Sequence, residues 1–189
     1  MKAIVTTCLA VLLLAGTAVK AAELKSGLQP GDLVGAFDVE KCGGAVNDGR
    51  EVGANFCYRC MLGNKPVVMV FARKTDSSLA ALTKELDKHV AKNSDQKLSS
   101  FVNLIGKDAD ALKTQAKELA AKNKLENVAV VVPQDNENGP PEFKISPEAE
   151  VTVTIYRNGK VAATHALAPG QLTDAEIKSI IADTAKILK

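Results

Sequence analysis

The chain has 189 residues, with 24 lysines and arginines against 22 aspartates and glutamates and no tryptophan. The slight basicity belongs to its beginning, because Lys2 and Lys20 lie within residues 1–21, which carry no acid, and the remainder balances at 22 against 22. A neutral chain without basic patches interleaved with aromatics gives no bulk attraction for nucleic acid or an anionic membrane, and its core must be built from Val, Ile, Leu and Ala.

In chain order, Lys2, the apolar run Ile4 to Val19 and the small residues at Val19-Lys20-Ala21 mark a secretory signal over residues 1–21, with Gly16-Thr17-Ala18 as a second cleavage position. The run is shorter than the roughly 20 apolar residues of a membrane helix and contains Thr6, Thr7 and Thr17. Val5-Thr6-Thr7 before Cys8 does not resemble a lipoprotein cleavage box. The expectation is an exported chain, periplasmic or extracellular, with one domain over residues 22–189 and no membrane association once the signal is gone. It keeps Cys42, Cys57 and Cys60, an odd number of thiols in a compartment where disulfides persist.

Residues 28–65 read as an N-terminal unit. Glycines punctuate two short extended pieces, Ala36 to Glu40 and Arg50 to Val52, which suggest a hairpin with Cys42 near its turn and within reach of Cys57 or Cys60. The core follows over residues 66–188. Val67 to Ala72, bounded by Pro66 and Arg73 and rich in β-branched residues, predicts a central strand buried on both faces. Asp76 caps a helix whose Leu79, Leu82, Leu86 and Val90 share one face, ending near Asn93. Phe101 to Ile105 predicts a strand, Asp108 caps a helix with the stripe Leu112, Ala116, Leu119 and Ala120, and Val128 to Val132 predicts a further strand.

A breaker-rich connection, Gln134 to Pro147, leaves room for one helical turn around Phe143 to Ile145. Asn158-Gly159 between the alternating runs from Val151 and Val161 predicts a tight hairpin, and Thr173-Asp-Ala-Glu176 is a capping box opening a final helix. Alternating strands and helices closed by an antiparallel hairpin imply an α/β fold, a three-layer sandwich around a mixed sheet.

The paired cysteines carry the chemistry, and three readings compete. Thiols two residues apart form a redox-active pair, with Arg59 between them, and Arg50 or Lys65 if they fold near, favouring the thiolate. A stabilising bridge is the second reading. A loop of about four residues gains roughly 2 kcal/mol and a Cys42 to Cys57 loop of about 15 gains roughly 3, so stabilisation alone favours Cys42 as a partner. A metal held by three thiolates and a histidine is the third, with His89 and His165 the only candidates. Zinc usually wants a second close ligand pair, which is lacking, and Met61 stands where covalent haem wants a histidine. No metal or cofactor is expected. His89 reads more simply as a helix-end imidazole, His165 as a cross-strand residue and Tyr58 as a packing aromatic.

Pro66-Val-Val-Met-Val-Phe-Ala, the helix after it, and the Ile155-Tyr-Arg-Asn-Gly-Lys hairpin followed by a helix resemble the thioredoxin-like superfamily. The N-terminal hairpin and the added strand at Val128 to Val132 are similar to its secreted thiol-disulfide oxidoreductase and peroxiredoxin branches. The resemblance implies thiol-disulfide exchange with a protein thiol or disulfide, through Cys57 and Cys60 with Cys42 as a third thiol. The departures are equally plain. The family's reactive C-x-x-C follows the central strand, where this chain has Arg73-Lys-Thr-Asp-Ser-Ser and no cysteine. Thr75-Asp-Ser-Ser78 matches the peroxiredoxin Thr-x-x-Cys with serine in place of the thiol, and Val151 stands roughly where the family has a cis-proline. A six-residue strand spans about 20 Å, so Cys57 and Cys60 are expected at the opposite end from the customary site. The alternative is a binding or structural module that keeps the fold and uses its cysteines as a stabilising disulfide.

Overall fold

A computed structural model describes residues 24–188, and the secretion signal expected over residues 1–21 lies outside them. Val67–Ala72 is buried at every position, and such a strand is satisfied only inside a sheet covered on both faces. This strand, β3, pairs in parallel with β4, Ser99–Leu104, and antiparallel with β6, Val151–Arg157. Beyond β4 lie β5, Val128–Pro133, and the antiparallel β1, Val39–Gly44, and β2, Asn55–Phe56. β7, Lys160–Leu167, completes the other side, giving a seven-stranded mixed sheet in the order β2-β1-β5-β4-β3-β6-β7.

The α/β sandwich has three layers of unequal build. One layer holds α2, Ser77–Lys92, α3, Ala109–Asn123, and α4, Asp174–Asp183, capped by Asp76, Asp108 and Thr173 as the sequence predicts. Their apolar stripes pack against Val68, Val70, Val102, Val130 and Ile155 on one face of the sheet. The other face presents Val67, Met69, Phe71, Phe101 and Tyr156. It is covered by the short helix α1, Tyr58–Leu62, the 3-10 turn Pro141–Phe143 and a strap formed by residues 24–37. Phe37 of the strap lies 6.0 Å, 6.3 Å and 4.8 Å from the rings of Phe71, Phe101 and Phe143. The strap is also hydrogen-bonded to the last two strands. Ser26 meets the Thr152 hydroxyl at 2.6 Å, Thr164 donates to the Leu28 carbonyl, and the Val34 amide donates to Gly159 at 2.8 Å.

The N-terminal hairpin exists with different strands. β1 continues past Cys42, where the turn is expected, through Gly43-Gly44, and its partner is Asn55–Phe56 rather than Arg50 to Val52. The glycines are needed inside the strand. Its register shifts between Lys41 and Gly43, and a Cβ on Gly44 would sit 2.0 Å from the Val128 carbonyl oxygen. The connection after β5 makes its single turn at Pro141–Phe143, two residues before the expected place, because Pro141 is well suited to a helix start. The Asn158-Gly159 turn is present as predicted, with φ of 55° and 70°.

Candidate functional site

Cys57 and Cys60 form a disulfide, with their Cα atoms 5.2 Å apart. Periodicity gives no warning of the helix that carries them. α1 is a single turn of five residues, formed because Cys57 serves as its N-cap and Gly63, at φ 57°, ends it. The Cys60 amide donates to the Cys57 sulfur at 3.0 Å, a contact that favours negative charge on that sulfur when the bond opens. Cys60 is exposed, whereas Cys57 is half-buried. The chain then turns through Lys65 and Pro66 into β3, so the pair lies at the N-terminal end of the central strand.

Tyr58 and Arg59, the two residues between the cysteines, fasten α1 to the body of the protein. Tyr58 is 3% exposed, stacks on Phe101 at 5.1 Å between ring centres, and donates its hydroxyl to Asp48. Burial, followed by that hydrogen bond, pushes its ionisation well above the ordinary phenol range. Asp48 is held by Lys41, whose ammonium donates to Asp48 Oδ1 at 2.7 Å, to the Ala45 carbonyl at 3.0 Å and to the Arg50 carbonyl at 2.8 Å. Arg59 donates to the carbonyls of Val34 at 3.1 Å and Gly63 at 3.3 Å, and its guanidinium packs against Gly159. Arg59 is therefore committed to anchoring carbonyls, and it ties α1 to the strap and to the turn before β7. Arg50 lies over the Phe56 ring at 4.9 Å and donates to Met61 Sδ at 3.5 Å, beside the pair.

Cys42 does not join the other two cysteines. It falls at the register shift in β1, faces the core under α2 and α3, and is 2% exposed, while α1 packs on the opposite face of the sheet. Burial, with a smaller contribution from Glu40, pushes its thiol up to about 11. A role as third thiol would require it to cross the sheet. His89 bonds the Thr184 hydroxyl at 2.8 Å, and burial, then Lys92, lowers its basicity. His165 lies between Glu176 at 2.7 Å and Asp183 at 3.2 Å and ties β7 to α4. Among the described residues no cluster of His, Cys, Asp or Glu could hold a metal ion.

At the far end of β3, where the resemblance places the family's chemistry, the backbone is sealed instead. The Arg73 guanidinium donates to the carbonyls of Ala149, Glu137 and Ser146 at 3.1 Å, 3.3 Å and 3.3 Å, knitting the 134–150 connection across the strand end. The first free amides of α2 are occupied by the chain's own carboxylate, with Ser78 and Leu79 both donating to Asp76 at 3.0 Å. A negative group already sits there, which disfavours a second anion at that helix start.

No family model matches the sequence, and no curated protein matches it. Solved structures do. A protein assigned as the thiol:disulfide interchange protein DsbE from Chlorobium tepidum is 16% identical, covers 83% of this chain and 99% of its own, and superposes with a TM-score of 0.59. Peroxidoxin BcpB from Mycobacterium tuberculosis is 13% identical over 86% of this chain and 99% of its own, at 0.61. A secreted Mycobacterium tuberculosis disulfide oxidoreductase homologous to E. coli DsbE is 14% identical over 77% and 94%, at 0.54. The fold is thioredoxin-like, and the C-x-x-C at Cys57 and Cys60 is a closed pair ahead of the central strand. Arg73, Lys41 and Asp48 escape a reading of the sequence alone. The one signal for Lys41 is its place two residues after the buried Val39, on the same side of β1.

Proposed function

We propose that the chain is an exported thiol-disulfide exchange protein that works through Cys57 and Cys60 on polypeptide thiols. The observation that carries the reading is a disulfide with one exposed cysteine on a one-turn helix, with a backbone amide aimed at the other cysteine's sulfur. A partner thiolate attacks Cys60 Sγ, the Sγ–Sγ bond breaks, and Cys57 leaves as a thiolate that the Cys60 amide stabilises. A better-stabilised leaving thiolate departs faster. A second partner thiol then attacks the partner's own sulfur in the mixed disulfide and releases Cys60. The partner loses two electrons and two protons, and the pair gains them. The reverse sequence reduces a partner disulfide, with the net direction set by the two potentials.

A polypeptide partner is supported by Val46 and Val52, 65% and 58% exposed in the loop that Lys41 holds beside α1. Export is supported by the signal pattern over residues 1–21 and by likeness to a protein described as secreted. Incubating the oxidised protein with a reduced, unfolded dithiol protein tests the exchange. Loss of partner thiols with appearance of free Cys57 and Cys60 is expected, and the Cys57→Ser variant, given the partner in its disulfide form, should attack it through Cys60, release one partner thiol and stay trapped as a mixed disulfide. If the double variant Cys57→Ser, Cys60→Ser consumes partner thiols as fast as the native chain, or if no exchange occurs, the cysteines belong to a binding module.

A further inference from the structure

A one-turn helix has no stability of its own in water. In the oxidised protein the Cys57–Cys60 bond closes the turn of α1. Once two electrons and two protons have opened that bond, the turn must be held by contacts to the rest of the molecule. One of those contacts has an unusual foundation. Lys41 is 2% exposed, and burying an ammonium is costly unless each of its protons finds a partner. All three do, in Ala45, Asp48 and Arg50. This arrangement fixes the 45–50 loop against β1 and leaves the second oxygen of Asp48 facing Tyr58, which lies inside the C-x-x-C.

We propose that Asp48, fixed by the buried Lys41, is a positioning residue that acts through the Tyr58 hydroxyl to keep Cys57 and Cys60 within bonding reach in the dithiol. The proposal rests on the exchange reading of the pair and adds what sets its equilibrium. Both the hydrogen bond and the disulfide require the closed turn, so each strengthens the other, and the coupling is reciprocal. Losing the hydroxyl lets the dithiol turn open, while the disulfide keeps it closed. The reduced state gains freedom that the oxidised state does not, and the bond becomes easier to reduce.

The test equilibrates the full chain with graded ratios of dithiothreitol and its oxidised ring, in which two electrons and two protons pass from the reagent to the pair. Alkylation and mass measurement then read the redox state of Cys57 and Cys60. Tyr58→Phe should move the equilibrium about tenfold toward the dithiol, the size expected of one hydrogen bond to a charged acceptor. Asp48→Asn, which removes the charge and keeps the shape, should move it in the same direction. Tyr156→Phe is the control. That hydroxyl is fully buried with no hydrogen-bond partner among the described residues, and its loss should leave the equilibrium unchanged. A Tyr58→Phe equilibrium within twofold of the native one overturns the proposal, as does an equal shift in Tyr156→Phe. Because dithiothreitol needs no protein partner, the equilibrium is read whether or not the pair exchanges with polypeptides.

Discussion

Reducing the Cys57–Cys60 bond should cost the fold little. The closed loop is about four residues, and the chain-entropy relation gives roughly 2 kcal/mol for a loop of that size. α1 keeps its anchors when the bond opens, because Tyr58 still stacks on Phe101 and Arg59 still reaches Val34 and Gly63. Neither core cluster depends on the sulfurs. For a domain of this size each kcal/mol lowers the melting temperature by about 2–4 °C, so the reduced protein should melt roughly 4–8 °C below the oxidised one. Thermal unfolding followed by circular dichroism, with and without dithiothreitol, measures this. The Cys57→Ser, Cys60→Ser variant serves as a reductant-free check. A loss of the folded state on reduction, or a drop beyond about 15 °C, would refute the reasoning. The bond would then be fastening the domain rather than cycling within it.

Two further outcomes follow from the same geometry. Lys41→Met removes three hydrogen bonds and leaves Asp48 without its cation, so it should destabilise the protein by about 3 kcal/mol, the range for breaking one side of a buried pair. The double variant Lys41→Met, Asp48→Asn should recover part of that loss in urea denaturation, and a single variant within about 1 kcal/mol of native would contradict the reading. The Cys42 thiol is raised from 9.0 to about 11 in the fold, so the unfolded chain ionises first as the pH rises. Its stabilising contribution is complete below pH 9.0, falls through the interval, and is lost above about 11. Cys42→Ala should flatten the alkaline loss of stability between those values, and an unaltered slope in pH-dependent denaturation would count against it.

The long elements were legible because single residues announce them. Asp76, Asp108 and Thr173 start their helices where a side-chain oxygen accepts from the first free amides, and Asn158-Gly159 makes its hairpin because both residues tolerate positive φ. The region around the cysteines resisted the same approach. α1 is too short to show a periodicity, and Gly43-Gly44 looks like a turn until α3 and β5 come close enough to forbid a side chain there. The placement of the pair ahead of β3 was readable, since chain order alone sets it. The sealing of the opposite end was not. Arg73 follows the strand like any terminating charge, and its value comes from carbonyls 64 to 76 residues away.

The strap has a bearing on how the protein comes into being. Near its start, Ser26 and Leu28 find partners 126 and 136 positions further along, on strands delivered near the end of synthesis. The first turn of the strap is therefore pinned only once the last two strands are in place, and such long-range closure is slow.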